Sequence, residues 1–248
     1  MCGRTTSTTP PHVLAALFDA EEIKVDEPLP PRYNVAPTDP LYAVATGRPP
    51  AGRQLGLFRW GLVPSWAEDV SVGNRMINAR AETVAVRAAY RDALVRRRCI
   101  IPADAFYEWQ QRRPFAVRQR DGKPMAFAGL WEVWRGPSQD SEESVVRSCV
   151  IITTAANSLL APIHNRMPVV LDPSAWDEWL DPDYRDVDGL QGLLVPAPPA
   201  QFELWPVSTR VNNVRNDGPE LLERLDPPAA APELFEWPAH PGERRLGP

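Results

Sequence analysis

Apolar and polar positions alternate with a period of two along several stretches of the chain, the pattern of strands with one buried face. Leu41 to Thr46 forms a short apolar strand and Gln54 to Val63 an alternating one. Cys99 to Ile101 begins another. Phe115 to Gln119 and Met125 to Trp134 flank Asp121-Gly122, which reads as a hairpin turn. Val145 to Thr154 is long and rich in β-branched residues, as expected of a central strand. Leu193 to Val195 and Phe202 to Val207 are further candidates.

Helical signals are fewer. Thr9 followed by Pro10 and Pro11 predicts a capped, proline-started helix through Leu14, Leu17 and Phe18. Glu82 to Arg98 reads as a helix whose last turn carries Arg96, Arg97 and Arg98, where cations favour the helix dipole. Asp172-Pro173 opens a short helix through Trp176 and Leu180, and Gly218 to Leu225 suggests a last one. Residues 26 to 40 read as proline-punctuated loop and Gly136 to Ser144 as a polar loop. No strict βαβ alternation emerges. The expected class is α+β, with a curved, barrel-like, mostly antiparallel β-sheet and a few flanking helices. Residues 1–225 are read as one domain, and 226–248 as a Pro- and Ala-rich acidic tail whose composition predicts disorder.

Composition narrows the class further. Twenty-nine prolines among 248 residues favour loops and short strands over a helical bundle. No apolar run reaches membrane-spanning length, and no basic segment followed by an apolar stretch marks a signal peptide, so the expected compartment is the cytoplasm. Three cysteines and three histidines, scattered along the chain, form neither a disulfide framework nor a zinc-ligand spacing, so no metal or cofactor is expected. The net charge of −5 disfavours a nucleic-acid partner until its distribution is read. Residues 1–135 hold 19 Lys and Arg against 14 Asp and Glu, and the remainder 8 against 18. The front is basic, and its cations are nearly all arginine, whose fork fits phosphate.

The sharpest chemistry lies at the start, Met1-Cys2-Gly3-Arg4. If Met1 is removed, Cys2 carries an α-amine and a thiol on adjacent carbons. Their unperturbed pKa values, about 7.7–8.0 and 8.5, leave both partly nucleophilic near neutrality. The amine condenses with an aldehyde to a Schiff base, and the thiol then closes a five-membered thiazolidine. The amine can also serve as general base in amide hydrolysis. On position alone, an inert frayed terminus is the better reading.

Companion segments change that balance. They are Arg32-Tyr33-Asn34-Val35-Ala36-Pro37-Thr38, Trp60-Gly61-Leu62-Val63-Pro64-Ser65-Trp66, Ile77-Asn78-Ala79-Arg80-Ala81-Glu82-Thr83, Phe106-Tyr107-Glu108-Trp109, Thr153-Thr154 and Ile163-His164-Asn165-Arg166-Met167-Pro168. Glu108 sits between aromatics, which suits a general acid or base. Trp60 and Trp66 are of a type that stacks on bases, though single tryptophans are more often core. These motifs, in this order and from Cys2 to about Gly218, resemble the SOS-response-associated peptidase family of abasic site processing proteins.

The resemblance implies a covalent crosslink to abasic sites in single-stranded DNA, with the Cys2 aminothiol capturing the ring-opened sugar aldehyde. It implies that Asn78 orients the sugar and the N-terminus, that Glu108 is the general acid/base, and that His164 transfers protons. Arg4, Arg80 and Arg166 would hold phosphates, Thr153 would lie near the site, Trp66 would stack on a base, and Asn34 and Pro37 would shape the pocket floor. The partner is then abasic single-stranded DNA, met by a monomer that is nucleoid-associated when bound. Trp66 stands alone, after Ser65, where family members can carry a tryptophan pair. A Schiff base at C1′ also acidifies the 2′ protons, so weak lyase cleavage is expected beside ring closure. The rival readings are an N-terminal-cysteine peptidase or autoprotease, a Cys-Gly amidotransferase lacking its synthase domain, and a non-catalytic single-strand binder.

Overall fold

The computed structural model describes residues 2–47, 51–136 and 145–225. Thirteen strands run through them: β1 (Thr5–Ser7), β2 (Glu22–Lys24), β3 (Arg32–Val35), β4 (Pro40–Thr46), β5 (Arg53–Trp60), β6 (Asn78–Arg80), β7 (Arg98–Ala103), β8 (Phe106–Gln110), β9 (Arg113–Gln119), β10 (Met125–Arg135), β11 (Val145–Ala155), β12 (Arg166–Pro168) and β13 (Phe202–Pro206). Four short helices accompany them: α1 (Pro11–Leu17), α2 (Arg91–Arg96), α3 (Trp176–Leu180) and α4 (Val187–Gly192). The class is the expected α+β.

Five strands close a barrel. β11 pairs antiparallel with β10, which leads through β7 and β4 to β5, and β5 returns to β11 by a parallel pairing at Ser148↔Arg59 and Cys149↔Trp60. Closure leaves these strands no free edge among themselves. A second sheet, ordered β13-β9-β8-β1-β3, stands beside it. Alternation along the barrel strands sorts side chains onto two faces. Cys99, Ile101, Phe127, Cys149 and Ile151 join one apolar cluster. Ile100, Ala126, Ala128, Val150 and Ile152 join another, with Leu14, Trp179 and Leu190 from the helices and Phe18 just after α1. Burial of both faces from Ser148 onward is why the strand carries Cys149, Val150, Ile151 and Ile152 in a row.

Several local expectations fail, each for a tertiary reason. The stretch 26–40, read as loop, contains β3, which pairs with β1. The helix expected over Glu82 to Arg98 shrinks to α2, because Ala81 N–H bonds to Thr153 O and ties the chain to β11 before turns carry it to Tyr90. Thr83, Val84 and Val86 are also β-branched and weak helix formers. Asp121-Gly122 is a turn, with Gly122 at φ 74, but not a hairpin. β9 pairs with β8 and β13, whereas β10 pairs with β7 and β11, so this turn passes the chain between sheets. The strand expected to reach Val63 stops at Trp60, since Gly61 has φ +118 and a Cβ there would sit 2.4 Å from Gly73 O. Leu193 to Val195 forms no strand, and Gly218 to Leu225 gives only a 3-10 turn over Pro219–Leu222. The polar loop at 137–144 and the tail at 226–248 lie outside the described residues.

Arg98 shows what the arginine triplet does. It lies at the start of β7, buried, with all five N–H groups on backbone carbonyls. Nε donates to Trp179 O at 2.6 Å, Nη1 to Leu94 O at 2.8 Å and Val95 O at 2.9 Å, and Nη2 to Tyr184 O at 3.1 Å and to Asp181 O. The C-terminal ends of α2 and α3 thus converge on one guanidinium, and their dipoles stabilise its charge together with the nearby Asp181 carboxylate.

Candidate active site at the N-terminus

β1 enters the second sheet between β3 and β8, with Thr5 opposite both Val35 and Phe106. Tyr107 N–H bonds to Arg4 O at 3.0 Å and Thr6 N–H to Ala105 O at 2.9 Å. This docking carries Cys2 into the apolar cluster of the barrel, where it is fully buried. From the other side, β6 runs parallel to β11, with Asn78 opposite Ile151, and brings Asn78 to the N-terminus. Asn78 Nδ2 donates to Cys2 O at 2.8 Å, while its Oδ1 is buried with no hydrogen-bond partner among the described residues.

Burial pushes the Cys2 thiol up from its ordinary range, and the neighbouring Glu108 carboxylate pushes it further, against the pull of the Arg4 backbone N–H. Glu108 lies on β8 opposite Phe115 and is itself buried. At neutral pH the thiol is therefore held protonated, with a carboxylate close by.

The predicted arginines differ in their surroundings. Arg4 is half-buried. Its Nη1 donates to Asn34 Oδ1 at 2.7 Å and Val211 O at 2.8 Å, and its guanidinium lies 5.9 Å from the Trp109 ring centroid. Asn34 in turn donates to the carbonyls of Val211, Asn213 and Asn216, at 3.3, 3.1 and 2.8 Å. Asn34 therefore fastens the 211–216 segment against β1 and β3. Arg166, at the start of β12, forks onto both carboxylate oxygens of Glu82 and reaches Thr153 O. Arg80, opposite Thr153 on β11, is exposed, with its guanidinium in no hydrogen bond or ion pair among the described residues.

β11 is the common support. β6 and β12 flank its C-terminal end, which puts Arg80 and Pro168 at the register of Thr153 and Arg166 opposite Ala155. Thr153 is buried, its hydroxyl 3.3 Å from Ala79 O. His164 precedes β12, and its Nδ1 lies 3.0 Å from Arg166 N and 3.3 Å from Arg166 O, so the ring is held against the backbone of β12. Trp60 is core, fully buried with Nε1 donating to Ile77 O at 3.0 Å, whereas Trp66 is 65% exposed. Pro37 follows β3 and is half-buried.

Cys2, Asn78 and Glu108 are thus assembled directly, Arg4 with Asn34, and Arg166 with Thr153 and His164. Trp66 and Pro37 make no side-chain hydrogen bond with that cluster among the described residues, so sequence order alone associates them with it. Sequence reasoning passed over Glu82, although it stands two residues after Arg80 in the same motif, and over the carbonyls of the 211–216 segment, which carry no side-chain signal. No group of three or more His, Cys, Asp or Glu among the described residues is placed to hold a metal. A cavity of about 300 Å³, lined by Lys24, Gln54, Phe58, Trp131 and Arg147 among others, opens near the start of β11, and none of the predicted site residues borders it.

Comparison with known proteins agrees with the motif pattern. The family model described as SOS response associated peptidase (SRAP) matches residues 1–214. "Abasic site processing protein YoqW" of Bacillus subtilis is 41% identical over 235 residues, covering 90% of this chain and 99% of the relative. "Abasic site processing protein YedK" of Escherichia coli is 33% identical over 236 residues, covering 90% and 99%. The crystal structure of a protein from Bacteroides thetaiotaomicron shares the fold at TM-score 0.79 and 21% identity, covering 90% of this chain and 100% of that one. This chain belongs to the SOS response associated peptidase family.

Proposed function

We propose that this chain processes abasic sites in DNA by capturing their aldehyde covalently with Cys2, after Met1 has been removed. The names of the relatives support the lesion. The observation that carries the chemistry is the placement of Cys2, fully buried, held through its carbonyl by Asn78 and electrostatically coupled to Glu108.

The order of steps follows from the thiol's environment. A thiol kept protonated is a poor first nucleophile, so the α-amine attacks the sugar aldehyde. Loss of water gives a Schiff base. The S–H then adds across the C=N bond: sulfur bonds to C1′, and the proton passes through Glu108 to the nitrogen, closing the thiazolidine. Asn78 fixes the position of Cys2, so both nucleophilic atoms meet the same carbon. His164 serves the proton transfers that open the sugar ring and expel water. Arg80 and Arg166 take phosphates beside the lesion, and exposed Trp66 stacks on a base of single-stranded DNA. Arg4, already committed to Asn34 and Val211 O, shapes the entrance as much as it offers charge. A Schiff base deprived of its thiol is left to β-elimination, so weak strand cleavage belongs to the same site.

The test mixes the protein with a single-stranded oligonucleotide carrying one abasic site and runs a denaturing gel. A shifted, heat-stable band that Cys2→Ala abolishes supports the reading. Absence of a covalent band, with intact mass showing Met1 removed, overturns it in favour of peptide hydrolysis.

A further inference from the structure

Arg166 already holds an anion. Glu82 presents both carboxylate oxygens to Nη1 and Nη2, and Thr153 O occupies a further N–H of Nη2. The pair is lopsided: the Arg166 side chain is 15% exposed and that of Glu82 53%. The carboxylate therefore covers the guanidinium on its solvent side. The hydrogen bond from Arg166 pulls the Glu82 carboxyl below its ordinary range, and the charges of Arg166 and Arg80 add to this. One acid thus lies between two cations.

A carboxylate and a phosphodiester present the same pair of oxygens to a guanidinium fork. We infer that Glu82 is a built-in stand-in for phosphate, seated on Arg166 where a DNA phosphate goes, and that it sets how strongly the protein discriminates between damaged and intact strands. A passing strand has to displace Glu82 and gains only part of what the bare guanidinium would give. A strand also gripped at Cys2 displaces it at small relative cost. This rests on the reading of Arg166 as a phosphate contact.

The alternative role for the pair, holding Arg166 in a productive pose, has the opposite sign. The experiment is fluorescence anisotropy of an undamaged single-stranded oligonucleotide over a range of salt, with wild type, Glu82→Gln, Arg166→Gln and the double variant. Glu82→Gln should tighten binding about three- to fivefold, the worth of one half-exposed ion pair. It should also steepen the log–log salt dependence by about 0.7, because phosphate then meets a cation with no carboxylate to re-solvate. Arg166→Gln should weaken binding, and adding Glu82→Gln to it should tighten binding clearly less than it does in the wild type, by what its charge next to Arg80 alone accounts for. Weaker or unchanged binding by Glu82→Gln overturns the inference, as does equal tightening in the Arg166→Gln background, which would mark a general charge effect. Glu82→Ala should act with the same sign as Glu82→Gln. Wild-type affinity in Arg166→Gln would instead overturn the phosphate role of Arg166. Since undamaged DNA forms no crosslink, none of these outcomes depends on the covalent chemistry.

Discussion

The side-chain amide of Asn78 donates a 2.8 Å hydrogen bond to the backbone carbonyl of Cys2, linking the first residue of β6 to the chain's second residue. The bond fixes the N-terminus from the barrel side while β8 and β3 fix it from the other. Its loss leaves Cys2 tethered on one side only. Asn78→Asp, which cannot donate, should slow crosslinking at saturating abasic DNA by about a hundredfold, as expected when a reacting group shifts by an ångström. Asn78→Ala should match it. A rate unchanged in Asn78→Asp would show that the hydrogen bond does not position Cys2.

Cys2, Cys99 and Cys149 are all fully buried, and burial pushes each thiol up. The folded chain then keeps protons that the unfolded chain releases above about pH 8.5. The unfolded state binds fewer protons there, so stability falls as pH rises, by roughly 1.4 kcal/mol per pH unit for each thiol that remains protonated only in the folded state. Denaturant unfolding followed from pH 7 to 10 should show this decline. Cys99→Ala should reduce its slope, and a flat profile would refute the account.

Arg98 should be among the most sensitive structural positions. Arg98→Met leaves five carbonyls and two helix ends without their donor, at about 3–5 kcal/mol. At about 2–4 °C per kcal/mol for a domain of this size, calorimetry should show a midpoint lowered by about 10 °C. Arg98→Lys, with three donors on a single nitrogen, should recover only part of it.

Trp66 is expected to behave in the opposite way. Its 65% exposure means Trp66→Ala should leave the melting temperature unchanged within a degree or two. Affinity for an undamaged single-stranded oligonucleotide should drop about tenfold, within the range of one lost base stack. A stability loss with unaltered affinity would place Trp66 in the fold rather than in recognition.

The strands most readable from sequence were those whose neighbours impose burial on both faces, as for Ser148 to Thr154. Barrel closure was not readable, because nothing in Arg59-Trp60 or Ser148-Cys149 announces a parallel pairing between segments so far apart. The same holds for Asp121-Gly122, whose turn chemistry was right while its partners lay in different sheets. In the site, motif order picked out Cys2, Asn78 and Glu108, yet their relation to one another depends on where β1 docks. The Glu82–Arg166 pair escaped notice since it exists only because β6 and β12 flank one strand. Arg98 escaped for a similar reason: its ligands are carbonyls, and carbonyls have no letter in a sequence.

The burial of Cys2 also sets a clock. The apolar cluster that Cys2 joins includes residues as late in the chain as Ala197 and Phe202. Ribosomes add roughly 5–20 residues per second, so the N-terminus waits on the order of ten seconds or more before those walls have even been synthesised. Under the proposed chemistry Met1 has to be removed before Cys2 can react, and the nascent chain offers that interval for it. Once the apolar cluster has closed over Cys2, that residue is fully buried, and a protease acting from outside meets it far less readily than on the nascent chain.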